Sequence, residues 1–251
     1  PKPTAIFSIT PVSGCPTLTC NFTNQSSGAI NYLWDFGTVP TSTSNAVNPV
    51  FNYTNSGGST INPTITLVAL NAFGCSDTTR RVISIFPKPT ASFTCNTNPG
   101  CSPLAITFTN TSTGGISNNW NFGDGNTSAL VNPSNTYTNA TLFVQTFTAQ
   151  LVVTNSDGCT DTTRQVITVN PKPLFTFTMI PASGCSPLSV SFPVIAGAVT
   201  TNWDFGDGNT STSLNPTHTF TNSTLVNVTY TVTLIAQNAF MCVDTAYGYP
   251  V

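Results

Sequence analysis

Apolar and polar residues alternate in short stretches along this chain. In the stretch "LAITFTN", Leu104, Ile106 and Phe108 fall on one face, and Trp120 alternates with Phe122 further on. A period of two predicts half-buried β-strands, and no comparable helical period is present. Turn sequences such as "NPG", "TGG", "GDGN" and "NSDG" separate the stretches. The middle third of the chain is therefore predicted to form strands at 90–95, 104–110, 117–123, 134–138, 145–155 and 162–169.

This pattern occurs three times. Each copy begins with Pro-Lys-Pro and contains one tryptophan within a Trp-[Asp/Asn]-Phe-Gly sequence, and corresponding residues lie 83 to 86 positions apart. We divide the chain into repeat 1 (1–86), repeat 2 (87–170) and repeat 3 (171–251), the last slightly short at its C-terminal edge. About seven short strands per repeat predict an all-β chain of three tandem antiparallel β-sandwiches. The tryptophans are the expected core anchors: Trp34, Trp120 and Trp203.

Composition narrows the function. Only 6% of the residues are charged and the net charge is −2, with six basic residues in all. Nucleic-acid binding requires a dense basic surface, so nucleic acid is excluded as a partner. No apolar run approaches the ~18 residues of a membrane span, so no direct membrane insertion is expected.

Several ordered sequence blocks identify a family resemblance. The blocks in repeat 3 are "CSPLSVSF", "NWDFGDGNTST", "NPTHTF" and "YTVTLIAQNAF", and counterparts recur in the other copies. They resemble the polycystic-kidney-disease-type (PKD) repeat, which implies an immunoglobulin-like sandwich. Such repeats occur in bacterial cell-surface proteins and adhesins, including those of Bacteroidetes-type bacteria, and as spacers of secreted enzymes. The first copy departs from the pattern, because "WDFGTVPTSTS" lacks the Gly-Asp-Gly turn.

The "WDFGDGN" motif of repeat 3 has two interpretations. Asp204, Asp207 and Asn209 carry oxygen ligands that suit calcium, which is the one cofactor considered. The favoured interpretation is a strand followed by a turn, because the acidic residues change between copies while Trp, Phe and Gly persist. His218 has no companion at ligand spacing and is expected to be a surface or turn histidine. No catalytic pattern is present, so the chain is predicted not to be an enzyme.

The eight cysteines indicate an oxidising, extracellular setting. One class precedes the second strand of each repeat (Cys15, Cys101, Cys185), and another lies in the hairpin before the last strand (Cys75, Cys159, Cys242). An immunoglobulin-like topology places the two classes at opposite poles of a repeat, too far apart for a bond. The prediction is therefore inter-repeat disulfides, Cys15–Cys159 and Cys101–Cys242, with Cys75 and Cys185 bonded to neighbouring units or subunits. The alternative is pairing within each repeat: 15–75, 101–159 and 185–242.

The remaining two cysteines, Cys20 and Cys95, replace core apolar residues and are predicted to be buried free thiols. A further recurring sequence is Asp-Thr-[Thr/Ala], which resembles the O-glycosylation acceptor of Bacteroidetes-type surface proteins. It places candidate glycan sites at Thr78, Thr162 and Thr245. A plain polar strand edge is the alternative.

These observations predict a structural role. The expected function is a repeat segment of an extracellular stalk, adhesin or filament, elongated into a rod with disulfide-strapped junctions. Its partners would be neighbouring repeats or identical subunits, and surface glycans are a further candidate. The alternative is a spacer or carbohydrate-contacting accessory module of a secreted hydrolase.

Overall fold

The chain folds entirely into β-structure. A computed structural model describes residues 1–248, and within them there are strands but no helix. The described residues accordingly hold no helix that could cross a membrane. The strands form seven sheets, and each sheet draws its strands from a single repeat. The predicted all-β class is confirmed.

Repeat 1 is a sandwich of two antiparallel sheets. One sheet has the order β1-β3-β6 and the other β5-β4-β7-β8, while β2 pairs in parallel with β9. The strands are β1 (Phe7–Thr10), β2 (Ser13–Gly14), β3 (Leu18–Asn24), β4 (Asn31–Asp35), β5 (Thr43–Ser44), β6 (Val50–Tyr53), β7 (Thr64–Leu70), β8 (Ser76–Val82) and β9 (Ser84–Ile85).

Repeat 2 has the same arrangement with a longer final hairpin. Its sheets have the orders β10-β12-β15 and β11-β17-β16-β13-β14. The strands are β10 (Phe93–Cys95), β11 (Gly100–Cys101), β12 (Leu104–Asn110), β13 (Ser117–Asn121), β14 (Thr127–Ser128), β15 (Ser134–Tyr137), β16 (Gln145–Thr154) and β17 (Thr160–Asn170). The six predicted strands all exist, whereas β11 and β14 were not predicted because two residues are too few to show alternation.

Repeat 3 retains the central part of the sandwich. Its sheets have the orders β18-β21 and β20-β19-β22-β23. The strands are β18 (Leu188–Ser191), β19 (Thr200–Asp204), β20 (Thr210–Ser211), β21 (Thr217–Phe220), β22 (Val232–Gln237) and β23 (Val243–Gly248). The segment that corresponds to β1 and β10 makes a single bridge, between Ile180 and Ser191, although Phe175 remains buried in the core.

Buried side chains form three clusters, one in each repeat. A tryptophan with no exposed surface lies in each cluster, where its indole N–H donates to a backbone carbonyl 2.9–3.0 Å away. A phenylalanine from the first segment of the repeat contacts each tryptophan edge-on, with ring centroids 5.0 Å apart. Such a pair buries a large apolar area and still satisfies the one polar atom of the indole. The tryptophans therefore occupy the core positions at which the sequence placed them.

A buried tyrosine fixes the turn that follows the tryptophan strand. Tyr137, the last residue of β15, donates its hydroxyl proton to the carbonyl of Phe122 at 3.0 Å. Tyr53 makes the same bond to Phe36 in repeat 1, whereas repeat 3 has Phe220 at this position. Burial raises the pKa of Tyr137 to about 12. The hydroxyl is therefore a permanent donor at physiological pH.

Replacing this tyrosine tests the bond. The substitution Tyr137→Phe leaves the Phe122 carbonyl without its partner, and we expect it to destabilise repeat 2 by about 1–3 kcal/mol. Hydrogen exchange of the β12 and β15 amides measures the loss. Tyr230→Phe is the matched control, since that hydroxyl bonds to Thr221 at an exposed position. An equal effect of both substitutions would contradict a special role for the buried bond.

Candidate functional site: the junctions between repeats

Two disulfides join residues of successive repeats. Cys15 of repeat 1 is bonded to Cys159 of repeat 2, with Cα atoms 5.4 Å apart. Cys101 of repeat 2 is bonded to Cys242 of repeat 3, with a Cα separation of 5.6 Å. Both separations fall within the range that a disulfide allows. The structure thus forms the inter-repeat arrangement rather than the alternative pairing within a repeat.

Strand register explains why the bond crosses the junction. Within repeat 2, the parallel pairing places Cys101 beside Asn170, the last residue of β17. Cys159 comes immediately before Thr160, the first residue of the same strand. A strand of 11 residues at a rise of ~3.3 Å per residue spans ~30 Å, far beyond the ~7 Å limit for a disulfide. The two cysteines of one repeat therefore cannot bond to each other.

A single buried asparagine shapes the hairpin that carries Cys159. The Oδ1 atom of Asn155 accepts from the amides of Asp157 and Cys159 at 3.0 and 2.9 Å. Its Nδ2 donates to the carbonyl of Pro87, in the Pro-Lys-Pro linker, at 2.9 Å. One side chain thus fixes the cysteine relative to the linker. Equivalent bonds are made by Asn71 to Pro1 and by Asn238 to Pro171.

An aspartate holds the same linker from the other side. In repeat 2, Asp161 contacts Lys88 Nζ at 2.6 Å through Oδ1 and accepts from the Ala91 amide at 2.8 Å through Oδ2. The arrangement recurs in the other repeats, with the ion pairs Lys2–Asp77 at 2.8 Å and Lys172–Asp244 at 3.3 Å. These pairs were not predicted from the sequence, although lysine and the Asp-Thr motif each recur once per repeat.

The charge of Asp161 is stabilised by these contacts. Burial alone would raise the pKa of its carboxyl, but the hydrogen bonds from Lys88 and from the amides of Ala91 and Thr162 outweigh it, so the pKa is lowered. The lysines remain about half exposed or more. Exposed ion pairs contribute little energy, ~0–1 kcal/mol. Their main effect is therefore to fix the direction of the linker.

The turn after the tryptophan strand has a separate structure. In repeat 3, Asp204 Oδ1 accepts from the Gly206 amide at 2.9 Å, and Asp207 Oδ1 accepts from the Asn209 amide at 3.0 Å. The other carboxylate oxygen of Asp207 lies 2.7 Å from His218 Nε2. Within residues 1–248, no group of three or more His, Cys, Asp or Glu side chains could hold a metal ion. Of the five side-chain oxygens of the calcium candidate, three have a hydrogen-bond partner, namely Oδ1 of Asp204 and both carboxylate oxygens of Asp207.

His218, predicted to be a surface or turn histidine, contacts the turn through Asp207 but lies at the edge of the core. Its side chain is only 14% exposed, and its ring stacks on Phe205 with centroids 4.2 Å apart. It lies two residues before the buried Phe220 on β21, so both side chains project from the same face of the strand. Asn135 occupies the equivalent place in repeat 2, where it donates to Asp124 at 2.7 Å. His218 is therefore part of the core edge and the turn, rather than a surface residue.

The family follows from comparison with known proteins. A family model described as PKD domain matches residues 86–170 and 177–246, which together exceed half of the chain. The chain belongs to the PKD domain family. Residues 1–85 lie outside both matches, and they include the copy that lacks the Gly-Asp-Gly turn.

Solved structures include individual PKD domains. The PKD1 domain of the Vibrio cholerae metalloprotease PrtV is 31% identical, with 33% of this chain and 98% of that chain covered and a TM-score of 0.28. The PKD1 domain of Vibrio anguillarum Epp is also 31% identical, with 34% and 95% covered and a TM-score of 0.28. A calcium-stabilised adhesin of an Antarctic bacterium is 15% identical, with 100% and 73% covered and a TM-score of 0.37. A search of curated proteins found no match.

The cysteines outside the junction bonds have different environments. Cys75 and Cys185 are exposed free thiols. Cys20 is fully buried in the core of its PKD repeat, and burial raises the pKa of its thiol. Cys95 is only half-buried, which corrects its prediction as a buried thiol. It is the last residue of the edge strand β10, so only one side of it is covered.

The three candidate glycan sites occupy equivalent surface positions in the PKD repeats. Thr78, Thr162 and Thr245 are exposed on the last strand of each sandwich, and each follows the aspartate that contacts the linker lysine. The recurrence of this aspartate in every copy is accounted for by its contact with the linker lysine. Glycosylation of these threonines remains a prediction.

Acidification should weaken the linker contacts. Because the pKa of Asp161 is lowered in the folded chain, its contribution to stability is present above its ordinary value of 3.8 and is lost as the pH falls through the folded value. We expect Asp161→Asn to lower the melting temperature at neutral pH and to reduce the further decrease seen below pH 3.8. Asp157→Asn, at the exposed hairpin tip, is the control. An unchanged acid dependence in Asp161→Asn would refute this account.

The turn geometry gives a prediction for calcium. Since Asp204 and Asp207 already accept hydrogen bonds within the turn, we expect equal melting temperatures in calcium and in chelator. Differential scanning calorimetry provides the measurement. A calcium-dependent increase that is lost in Asp207→Asn would instead establish a calcium site in repeat 3.

Proposed function

We propose that this chain is a stiff structural segment of an extracellular stalk, adhesin or filament. Membership of the PKD domain family supports an extracellular structural repeat role, and disulfides are typical of that compartment. The observation that carries the proposal is the covalent bond across each junction. No catalytic function is included in this proposal.

Stiffness arises from several constraints on one short linker. Pro87 and Pro89 restrict the backbone dihedrals of the first junction, and the Pro87 carbonyl is held by Asn155. Lys88 is held by Asp161. The Cys15–Cys159 bond then closes a loop between residues 144 positions apart, which can add about 5 kcal/mol by chain entropy. A linker held at so many points cannot act as a flexible hinge.

The alternative role as a carbohydrate-contacting module has less support. Sugar-binding surfaces commonly use exposed aromatic rings as stacking platforms, whereas Trp34, Trp120 and Trp203 have no exposed surface. Contact with surface glycans would therefore depend on other side chains. A spacer role within a secreted hydrolase is compatible with the same stiff junctions and would be recognised by an attached catalytic domain.

A distance measurement tests the stiffness. Spin labels on the exposed Cys75 and Cys185, in a Cys95→Ser background, report the distance between the first and third repeats. We expect a narrow distance distribution that broadens when the Cys15–Cys159 disulfide is removed by the double substitution Cys15→Ser and Cys159→Ser. Removal of the Cys101–Cys242 disulfide, by Cys101→Ser and Cys242→Ser, should broaden the distance distribution similarly. Circular dichroism verifies that the repeats remain folded.

Two results would contradict the proposal. Equal distribution widths with and without the straps would mean that the disulfides do not set the stiffness. A peptide that links Cys101 to Cys159 in non-reducing mass spectrometry would mean that the straps are not formed. Surface location is tested separately by labelling intact cells with an antibody against this segment.

A further inference from the structure

The two exposed cysteines belong to different classes. Each internal junction uses one cysteine from the loop before the second strand and one from the final hairpin of the next repeat. Cys75 is the remaining hairpin cysteine, and Cys185 is the remaining loop cysteine. The chain therefore has one free member of each class, at the N-terminal pole of repeat 1 and in the third repeat.

The hairpin around Cys75 already has the conformation of a bonded hairpin. Asn71 Oδ1 accepts from the amides of Phe73 and Cys75 at 2.9 and 3.0 Å. In repeat 3, Asn238 makes the same two bonds, at 3.0 Å each, to Phe240 and to the disulfide-bonded Cys242. The Asn-Ala-Phe-x-Cys sequence is common to both hairpins. No rearrangement of the hairpin is needed for Cys75 to bond.

Exposure separates these two hairpins. Phe240 is 43% exposed and Cys242 is 1% exposed at the junction with repeat 2. Phe73 is 85% exposed, and Cys75 is exposed beside it. Burial of an exposed phenylalanine by a partner would be favourable. The two hairpins thus differ in exposure although the same asparagine bonds shape both.

The loop around Cys185 is also built like its bonded counterpart. Ser186 Oγ accepts from the Asn222 amide at 2.8 Å. In repeat 2, Ser102 Oγ accepts from the Asn139 amide at the same distance, next to the bonded Cys101. The two loops thus share this serine bond, whereas Cys101 also lies on β11 and pairs with β17.

We propose that Cys75 of one copy forms a disulfide with Cys185 of a second copy, so that copies join head to tail. This inference rests on the proposed structural function and extends it from one chain to an assembly. The new junction would use the same two cysteine positions as the two internal ones. Because the contact uses different surfaces on the two partners and does not pair like with like, it generates an open filament rather than a closed dimer.

The bond requires an oxidant. Oxidised glutathione can supply it: one protein thiolate attacks the glutathione disulfide and releases one reduced glutathione, and the second protein thiolate then displaces the other from the mixed disulfide. Two thiols and one oxidised glutathione thus yield one protein disulfide and two reduced glutathiones. No protein group outside the two cysteines takes part.

The test follows assembly in oxidised glutathione buffer on non-reducing gels, in a Cys95→Ser background. The chain that keeps both Cys75 and Cys185 should give a ladder of multimers. Cys75→Ser alone and Cys185→Ser alone should each remain monomeric, whereas an equimolar mixture of the two should stop at the dimer.

Specific outcomes overturn the inference. Dimers of Cys75→Ser alone, absence of a ladder, or a peptide that links Cys75 to Cys75 would each refute head-to-tail joining. The spin-label distances report independently on the two disulfides within the chain. A narrow distance distribution without a ladder would leave the proposed function intact and eliminate only this inference.

Discussion

The length of the last strand of each repeat determines how the cysteines can pair. In repeat 2 the parallel register places Cys101 at the far end of β17, while Cys159 precedes its near end. No rotamer change can close a gap of ~30 Å. The same sandwich therefore prevents a disulfide within itself and presents one cysteine at each pole. Covalent joining of successive repeats is a consequence of the fold together with the two cysteine positions.

Six of the 14 charged residues form the three ion pairs of the linkers. Every lysine lies in a Pro-Lys-Pro linker and contacts an aspartate of the last strand. The aspartate also accepts the amide of the first segment of its repeat, so it joins the linker, the first segment and the last strand at one point. A neutral serine or threonine at this position could not engage the ammonium group as strongly. All three lysines of the chain thus help to fix the geometry of the linkers.

Most of the sequence prediction came from the alternation of apolar residues and from comparison of the three copies. Alternation located strands such as β12, and comparison between copies separated the persistent Trp, Phe and Gly of the turn from its exchangeable acids. Repetition showed Lys88 and Asp161 in every copy, but neither signal indicated that two residues so distant in sequence form a pair. The position of His218 was missed for another reason. Its short strand is paired so that residues 218 and 220 face the core together, which depends on register rather than composition.

The two internal junctions share one disulfide design but differ in their weaker contacts. At the first, the asparagine, ion-pair and amide contacts with the linker measure 2.9, 2.6 and 2.8 Å. At the second, the same three contacts measure 3.3, 3.3 and 3.2 Å. Hydrogen bonds weaken as the distance increases beyond about 3 Å, so the second linker is held less firmly by its polar contacts. The Cys101–Cys242 bond, by contrast, has nearly the same Cα separation as its counterpart. The disulfide therefore provides a larger share of the restraint on the second linker, whose hydrogen bonds and ion pair are longer.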